Sequence, residues 1–190
     1  MTEKQRKEAV EDFLHVYRKC IERPGAEDLL QQMIASGFLE CPASAGHHGA
    51  EPGGLLEHSL NVHRRLLYLK AYEESKTGQR CYDMETMAIC GLLHDICKVG
   101  AYREKEGEPQ RYEYIGGSPA GHGEKSVMMI MRFMQLTEEE MLAINWHMGG
   151  FDYRVRGGSR DMDKAYSRCK LAAMLHIADM QAAWLDERED

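Results

Sequence analysis

The 190-residue sequence has no apolar run long enough to cross a bilayer, no C-x-x-C pair, no internal repeat and no surplus of positive charge. The first absence excludes a membrane-spanning helix, which needs roughly 20 consecutive apolar residues. The six cysteines stand at 20, 41, 81, 90, 97 and 169, without the paired spacing of a zinc finger. Several fall within apolar helical patterns, which reads as reduced structural thiols in a cytoplasmic protein. With 24 Lys and Arg against 31 Asp and Glu, the net charge is −7. That balance argues against an extended nucleic-acid or anionic-membrane surface, while leaving room for a local basic pocket around one phosphate. The opening residues, MTEKQRKEAVEDF, are charged and lack the apolar core of a secretory signal.

What is present suits one domain, residues 1–190, with 43% hydrophobic residues to build a core. Apolar positions Val10, Phe13, Leu14, Tyr17 and Ile21 mark a helix from about Lys4 to Glu22, broken by Pro24-Gly25. A second short helix spans about Ala26 to Ser36, and the two form an N-terminal unit over residues 1–40. The Gly- and Pro-rich segment from Phe38 to Gly54 is a loop holding His47-His48. A long helix follows from Leu55 to about Lys76, and another, capped by Asp83, runs to about Val99. Residues 102–115 read as a short hairpin or an irregular excursion. Next come a Gly-rich loop around His122, a helix from near Glu124 to Gln135, and a helix opened by a Thr137/Glu140 capping box and closed at Gly149-Gly150. The loop from Phe151 to Met162 leads into a last helix, roughly Asp163 to Asp186. The fold class is therefore all-α, with about seven helices and any β-structure confined to one small insertion.

The chemistry-bearing residues, in order, are His58, His94-Asp95, His122, His147 and Asp179. Each set lies on a different predicted element, and most have apolar flanks, as in LLEHSL, LLHDI, INWHM and IADM. A charged Asp in such a setting is costly unless paired or bound to a metal. His94 and Asp95 are expected side by side on one helix, about 100° apart, with Lys98 a turn later. Imidazole and carboxylate donors suit Fe, Mn, Ni, Co or Zn, and with no cysteine in the set nothing favours a thiolate site. Six ligands exceed what one catalytic ion with open positions needs, so two ions bridged by Asp95 use them better.

The order H…HD…H…H…D, carried by HHGAEPGGLLEHSLNV, LLHDICKVG, GHGEKS, WHMGGFD and LHIAD, resembles the HD-domain superfamily of metal-dependent phosphohydrolases. The local text is most similar to the HD domains of YhaM-type exoribonucleases and their stand-alone relatives. The resemblance covers about residues 46–185, a metal-binding helical core, and implies the all-α HD-domain helical bundle. YhaM-type enzymes carry an oligonucleotide-binding domain where this chain has two short helices, a departure that speaks against processive RNA degradation.

The resemblance implies a core metal on His58, His94, Asp95 and Asp179, with His122 and His147 as the extra ligands of two-metal members. Lys98 matches the lysine of the HD-x-x-K pattern and is expected to hold substrate phosphate. Cys97 stands where a glycine is usual, a change expected to touch helix packing and leave the chemistry alone. His48 is a candidate substrate contact; Lys125 and Arg154 lie beside the His122 and His147 elements as further phosphate candidates. His176, three residues before Asp179, is either an orienting neighbour or core packing. The expected activity is that of a phosphomonoesterase or phosphodiesterase acting on a nucleotide or similar small phosphate ester, with Asp95 and Lys98 central. Di-iron oxygenases of the same superfamily share the ligand order and form the alternative; a non-catalytic nucleotide-sensing domain is the third reading.

Overall fold

The computed structural model describes residues 1–46, 49–116 and 118–187. Helix α1 (Glu3–Cys20) starts at a capping box in which Thr2 accepts from the Gln5 amide and the Gln5 side chain returns the bond. It buries Phe13 and Tyr17. Helix α2 (Ala26–Ala35) follows Gly25, whose φ of 86° favours glycine and whose Cα faces the Phe133 carbonyl too closely for any side chain. Helix α3 (Gly54–Thr77) buries Leu55, Leu56, His58, Leu60, Val62 and Leu66, and stops at the left-handed Gly78.

Helix α4 (Met84–Leu93) is capped by Asp83, whose side chain accepts from the Thr86 amide at 2.7 Å. Every residue from Thr86 to Leu93 is buried, so this helix is apolar all round and forms the centre of the bundle. Helices α1, α3 and α6 (Glu138–Trp146) pack against it, and α9 (Lys170–Gln181) closes over α3 and α6. At Gly91 a Cβ would meet the His63 backbone at 2.6 Å. Glycine there lets α3 and α4 approach closely enough for side chains on both to meet.

The 102–115 segment is a hairpin: β1 (Tyr102–Lys105) pairs antiparallel with β2 (Glu108–Tyr114), with Tyr102 opposite Tyr114 and Arg103 opposite Glu113. The amides of Ile115 and Gly116 bond the Ala101 carbonyl, tying its base to the end of the α4 segment. Helix α5 (His122–Ile130) then leads into α6, which opens with the expected Thr137/Glu140 capping box.

The helices number nine among the described residues, against about seven expected. Residues 151–162 contain the short α7 (Tyr153–Arg156), capped by Asp152. The last expected helix is two, α8 (Asp161–Arg168) and α9, broken where Cys169 turns extended. The break leaves α8, which buries only Ala165, on the surface and swings Leu171, Leu175 and Ala178 of α9 into the core. No helix among the described residues is long and apolar enough to cross a membrane.

Candidate metal centre

Two helix ends deliver two imidazoles by one device. α4 stops at Leu93 and α6 at Trp146, each earlier than its periodicity suggests, and the next residue is a histidine. The last carbonyls of a helix lack amide partners. His94 Nδ1 lies 3.0 Å from the Gly91 carbonyl and His147 Nδ1 lies 2.7 Å from the Ile144 carbonyl. A carbonyl can only accept, so each Nδ1 carries the proton and each Nε2 presents a lone pair. In α3, His58 Nδ1 faces the Glu187 carboxylate at 3.0 and 3.1 Å, which fixes the same tautomer, while Asn61 Nδ2 donates to Glu187 at 3.1 Å.

These three ring nitrogens converge on carboxylates. His58 Nε2 and His94 Nε2 are 3.3 Å apart, and His58 Nε2 is 3.2 Å from Asp179 Oδ1. Asp95 Oδ2 lies 3.6 Å from His58 Nε2, 3.5 Å from His94 Nε2 and 2.7 Å from Lys98 Nζ. Its other oxygen, Oδ1, lies 3.3 Å from His147 Nε2. Yet neither Asp95 Oδ1 nor His147 Nε2 has a hydrogen-bond partner, although both are buried. Unpaired buried polar atoms of this kind cost on the order of 1–3 kcal/mol each. Lone pairs aimed at lone pairs and carboxylates are a donor set that a cation satisfies, and the N and O chemistry fits a divalent transition metal.

The electrostatics agree. Burial would lower the His58 pKa, but the Asp179 and Glu187 carboxylates outweigh it and push it up to about 9, so a proton fills the His58 Nε2 lone pair wherever no other cation does: this spot favours positive charge. Burial would raise the Asp95 carboxyl, but Lys98 and His94 hold it well below the usual range. Burial works against the charge on Lys98 too, and Asp95 more than compensates. By contrast His63, five residues beyond His58 on α3, is pushed down to about 4 by burial first and Arg64 second. It is a neutral core histidine.

Other sequence candidates fall around this cluster. Asp95 is not on the α4 helix as expected: its backbone leaves the helix, and a 3-10 turn at Ile96–Lys98 folds Lys98 back onto the Asp95 carboxylate. His122 begins α5, half-buried, with Nδ1 3.5 Å from the sulfur of Cys97. The sequence pattern gives Cys97 a packing role, but Asp95, Cys97 and His122 bring donor atoms within 4.8 Å of one another. Lys125 Nζ donates to the Cys97 carbonyl at 3.1 Å, at the rim of the same group. His176 Nδ1 meets the His147 carbonyl at 2.7 Å and so supports its backbone. His47 and His48 lie outside the described residues.

Arg154 departs from expectation. Its Nε and terminal nitrogens donate to both oxygens of Asp152, to Glu124, and to the side chain and carbonyl of Asn145. The guanidinium also stacks over Trp146 at 3.9 Å. All its N–H donors are engaged, leaving none for a phosphate; it braces α5, α6 and α7. Sequence reasoning missed Glu187 and Asn61, which orient His58. Asn61 lies one turn along α3 from His58, but Glu187 sits in the acidic run DERED with no signal to mark it.

Fold and site together define a helical domain whose buried histidines and aspartates are arranged to hold a cation. Residues 55–183 match the family model of the HD domain, a span that holds His58 and Asp179 and all the candidate ligands between them, and the chain belongs to that family. HD domains are in general metal-dependent hydrolases that bind divalent ions. No curated protein and no solved structure shows significant similarity to the chain.

Proposed function

We propose that this protein is a cytoplasmic metal-dependent phosphohydrolase that uses two divalent transition-metal ions to cleave a phosphate ester of a nucleotide or related small molecule. The observation supporting this best is the convergence of three imidazole Nε2 atoms with the Asp95 and Asp179 carboxylates beside the Lys98 ammonium. His58, His94, Asp95 and Asp179 would hold one ion, and Asp95, His122 and His147 the other. Asp95 suits both because its oxygens face different groups. Ions held there supply Lewis acidity toward a water and toward the phosphate oxygens.

The chain's own residues do the rest. Glu187 and the Gly91 and Ile144 carbonyls hold each imidazole in the tautomer that exposes Nε2. Lys98 keeps Asp95 ionised with one N–H and retains others for a phosphate oxygen. Lys125, at the rim on the Cys97 carbonyl, adds a second cation toward phosphate. Tyr114 of the hairpin, with its ring centre 6.4 Å from that of His122, walls the site on that side. The nucleotide preference draws on the likeness of HHGAEPGGLLEH and WHMGGFD to the YhaM-type branch.

The test is an anaerobic reconstitution with Mn, Fe, Co, Ni or Zn, assayed on a panel of nucleotides and small phosphate esters with O₂ uptake followed in parallel. Metal-dependent phosphate release is expected. Substrate-dependent O₂ uptake by the iron form, with no phosphate released from any ester, would replace this reading with the di-iron oxygenase.

A further inference from the structure

Among the described candidate ligands, Cys97 is the one sulfur, set among imidazoles and carboxylates. It lies two residues beyond Asp95 in the 3-10 turn, and α5 pins that turn from two sides: Ser126 Oγ accepts from the Cys97 amide at 3.3 Å, and Lys125 Nζ donates to the Cys97 carbonyl at 3.1 Å. The pinning leaves the Cys97 sulfur, 2% exposed as a residue, 3.5 Å from His122 Nδ1. Asp95, Cys97 and His122 form a mutually close donor group distinct from the His58–His94–Asp95 group, and Asp95 is their shared member. The oxygen of Asp95 that turns away from Lys98 is buried and has no hydrogen bond, and neither has His147 Nε2 beside it. Packing alone would put an apolar neighbour against the thiol; here the sulfur meets an imidazole nitrogen.

We propose that Cys97 is a metal ligand, joining Asp95, His122 and His147 at the second cation position, which then offers one thiolate, two imidazoles and one carboxylate. The inference rests on the binuclear reading above and deepens it. The two positions are then unlike. The His58–His94–Asp95–Asp179 position is built from nitrogen and oxygen alone, whereas the Cys97 position favours zinc, cobalt(II) or iron(II) over manganese or magnesium, because a thiolate is a soft ligand. On binding, a sulfur–metal bond forms, the S–H bond breaks, and the proton leaves to the buffer.

Anaerobic titration of the full chain with cobalt(II) tests this through its spectrum and not through activity. The first equivalent is expected to give ligand-field bands alone. The second should add the near-ultraviolet thiolate-to-cobalt charge-transfer band. In Cys97→Ser and Cys97→Ala, checked for unchanged far-ultraviolet circular dichroism, that band should vanish and affinity for the second equivalent should fall about 100-fold, the upper end of what losing even a supporting partner of a ligand costs. The first-equivalent bands should persist. Two cobalt ions bound to the wild type without the band, or a band surviving in both variants, overturns the role of Cys97 and leaves the binuclear reading standing. A chain that binds no cobalt overturns the binuclear reading itself. Cobalt–sulfur scattering in the X-ray absorption of the wild type detects the same bond without any variant, and its absence from the two-cobalt protein overturns the proposal.

Discussion

Arg23, Glu85, Thr86 and Glu140 gather where the end of α1 meets α4 and α6; His58, His94, Asp95, His147 and Asp179 gather where α3, α4, α6 and α9 meet. Both groups place charge inside the bundle. In the first, Arg23 forks onto both oxygens of Glu140 at 2.7 and 3.0 Å and reaches Glu85 at 3.2 Å. Thr86 and the Thr137 amide supply Glu140 with two further bonds, at 2.9 and 2.8 Å. Both Glu140 oxygens accept and both terminal nitrogens of Arg23 donate, so the buried charges are matched within the chain. In the second, nitrogen lone pairs face one another and face carboxylates, and two buried atoms have no hydrogen bond. The difference separates a structural ion pair from a cation site. Burial and charge are common to both, and the match of donors to acceptors tells them apart.

Breaking each cluster should therefore have different consequences. The largest effect is expected for Asp95→Ala, which removes the carboxylate that both halves of the site share. Bound metal should be lost and the proposed metal-dependent ester hydrolysis should drop about 1,000-fold, on the scale of losing a principal electrostatic stabiliser. Elemental analysis and circular dichroism check this together, since helix content should survive. Retained metal and activity would end the two-ion account.

Glu140→Ala should do the converse. It strands Arg23 beside a buried gap and should cost about 3 kcal/mol of stability. Denaturant melts measure that loss, while metal bound per folded chain should stay at the wild-type level. A parallel loss of metal would mean that the clusters are coupled and the contrast is overdrawn.

Glu187→Ala sharpens the role given to the carboxylate behind His58. Metal affinity should weaken about 10- to 100-fold, as for other partners that orient a ligating histidine. Isothermal titration with zinc reads it; unchanged affinity would make Glu187 a surface residue that merely touches His58.

The smallest effect is on acid stability. Burial would raise the Glu140 carboxyl, but hydrogen bonds from Arg23, the Thr137 amide and Thr86 together hold it below its ordinary 4.5. A carboxyl lowered in the folded state contributes stability that is fully present above 4.5 and is lost as pH falls through the folded value. Thermal melts of metal-free protein at descending pH should therefore show a steeper acid loss in wild type than in Glu140→Gln. Equal slopes would place the acid sensitivity elsewhere.

Much of this architecture can be read in the sequence, because its signals are local. The apolar stripe of α1, the Asp83 cap and the Thr137/Glu140 box each need only neighbours three or four residues apart. The candidate ligand positions stand out for a related reason: a histidine or aspartate set in apolar flanks is costly to bury without a partner. What escapes the sequence depends on tertiary meetings. The helices stop at Leu93 and Trp146, and the following histidines bond carbonyls behind them, geometry that no periodicity encodes. Cys97 looks like packing until α5 lays His122 against it. Arg154 looks like a phosphate ligand until Asp152, Glu124 and Asn145 have taken its donors. Cys169 breaks the last helix without a glycine or proline to mark the place, and past the break α9 buries Leu171, Leu175 and Ala178.

The most direct test of the central claim is metal content by elemental analysis of anaerobically purified protein, repeated after reconstitution with iron, manganese, cobalt, nickel and zinc. The converging Nε2 lone pairs and carboxylates predict about two ions per chain, as a site sharing one bridging carboxylate requires. A folded chain that retains none of these ions would contradict the claim, and the buried histidines would then have to be satisfied by protons alone.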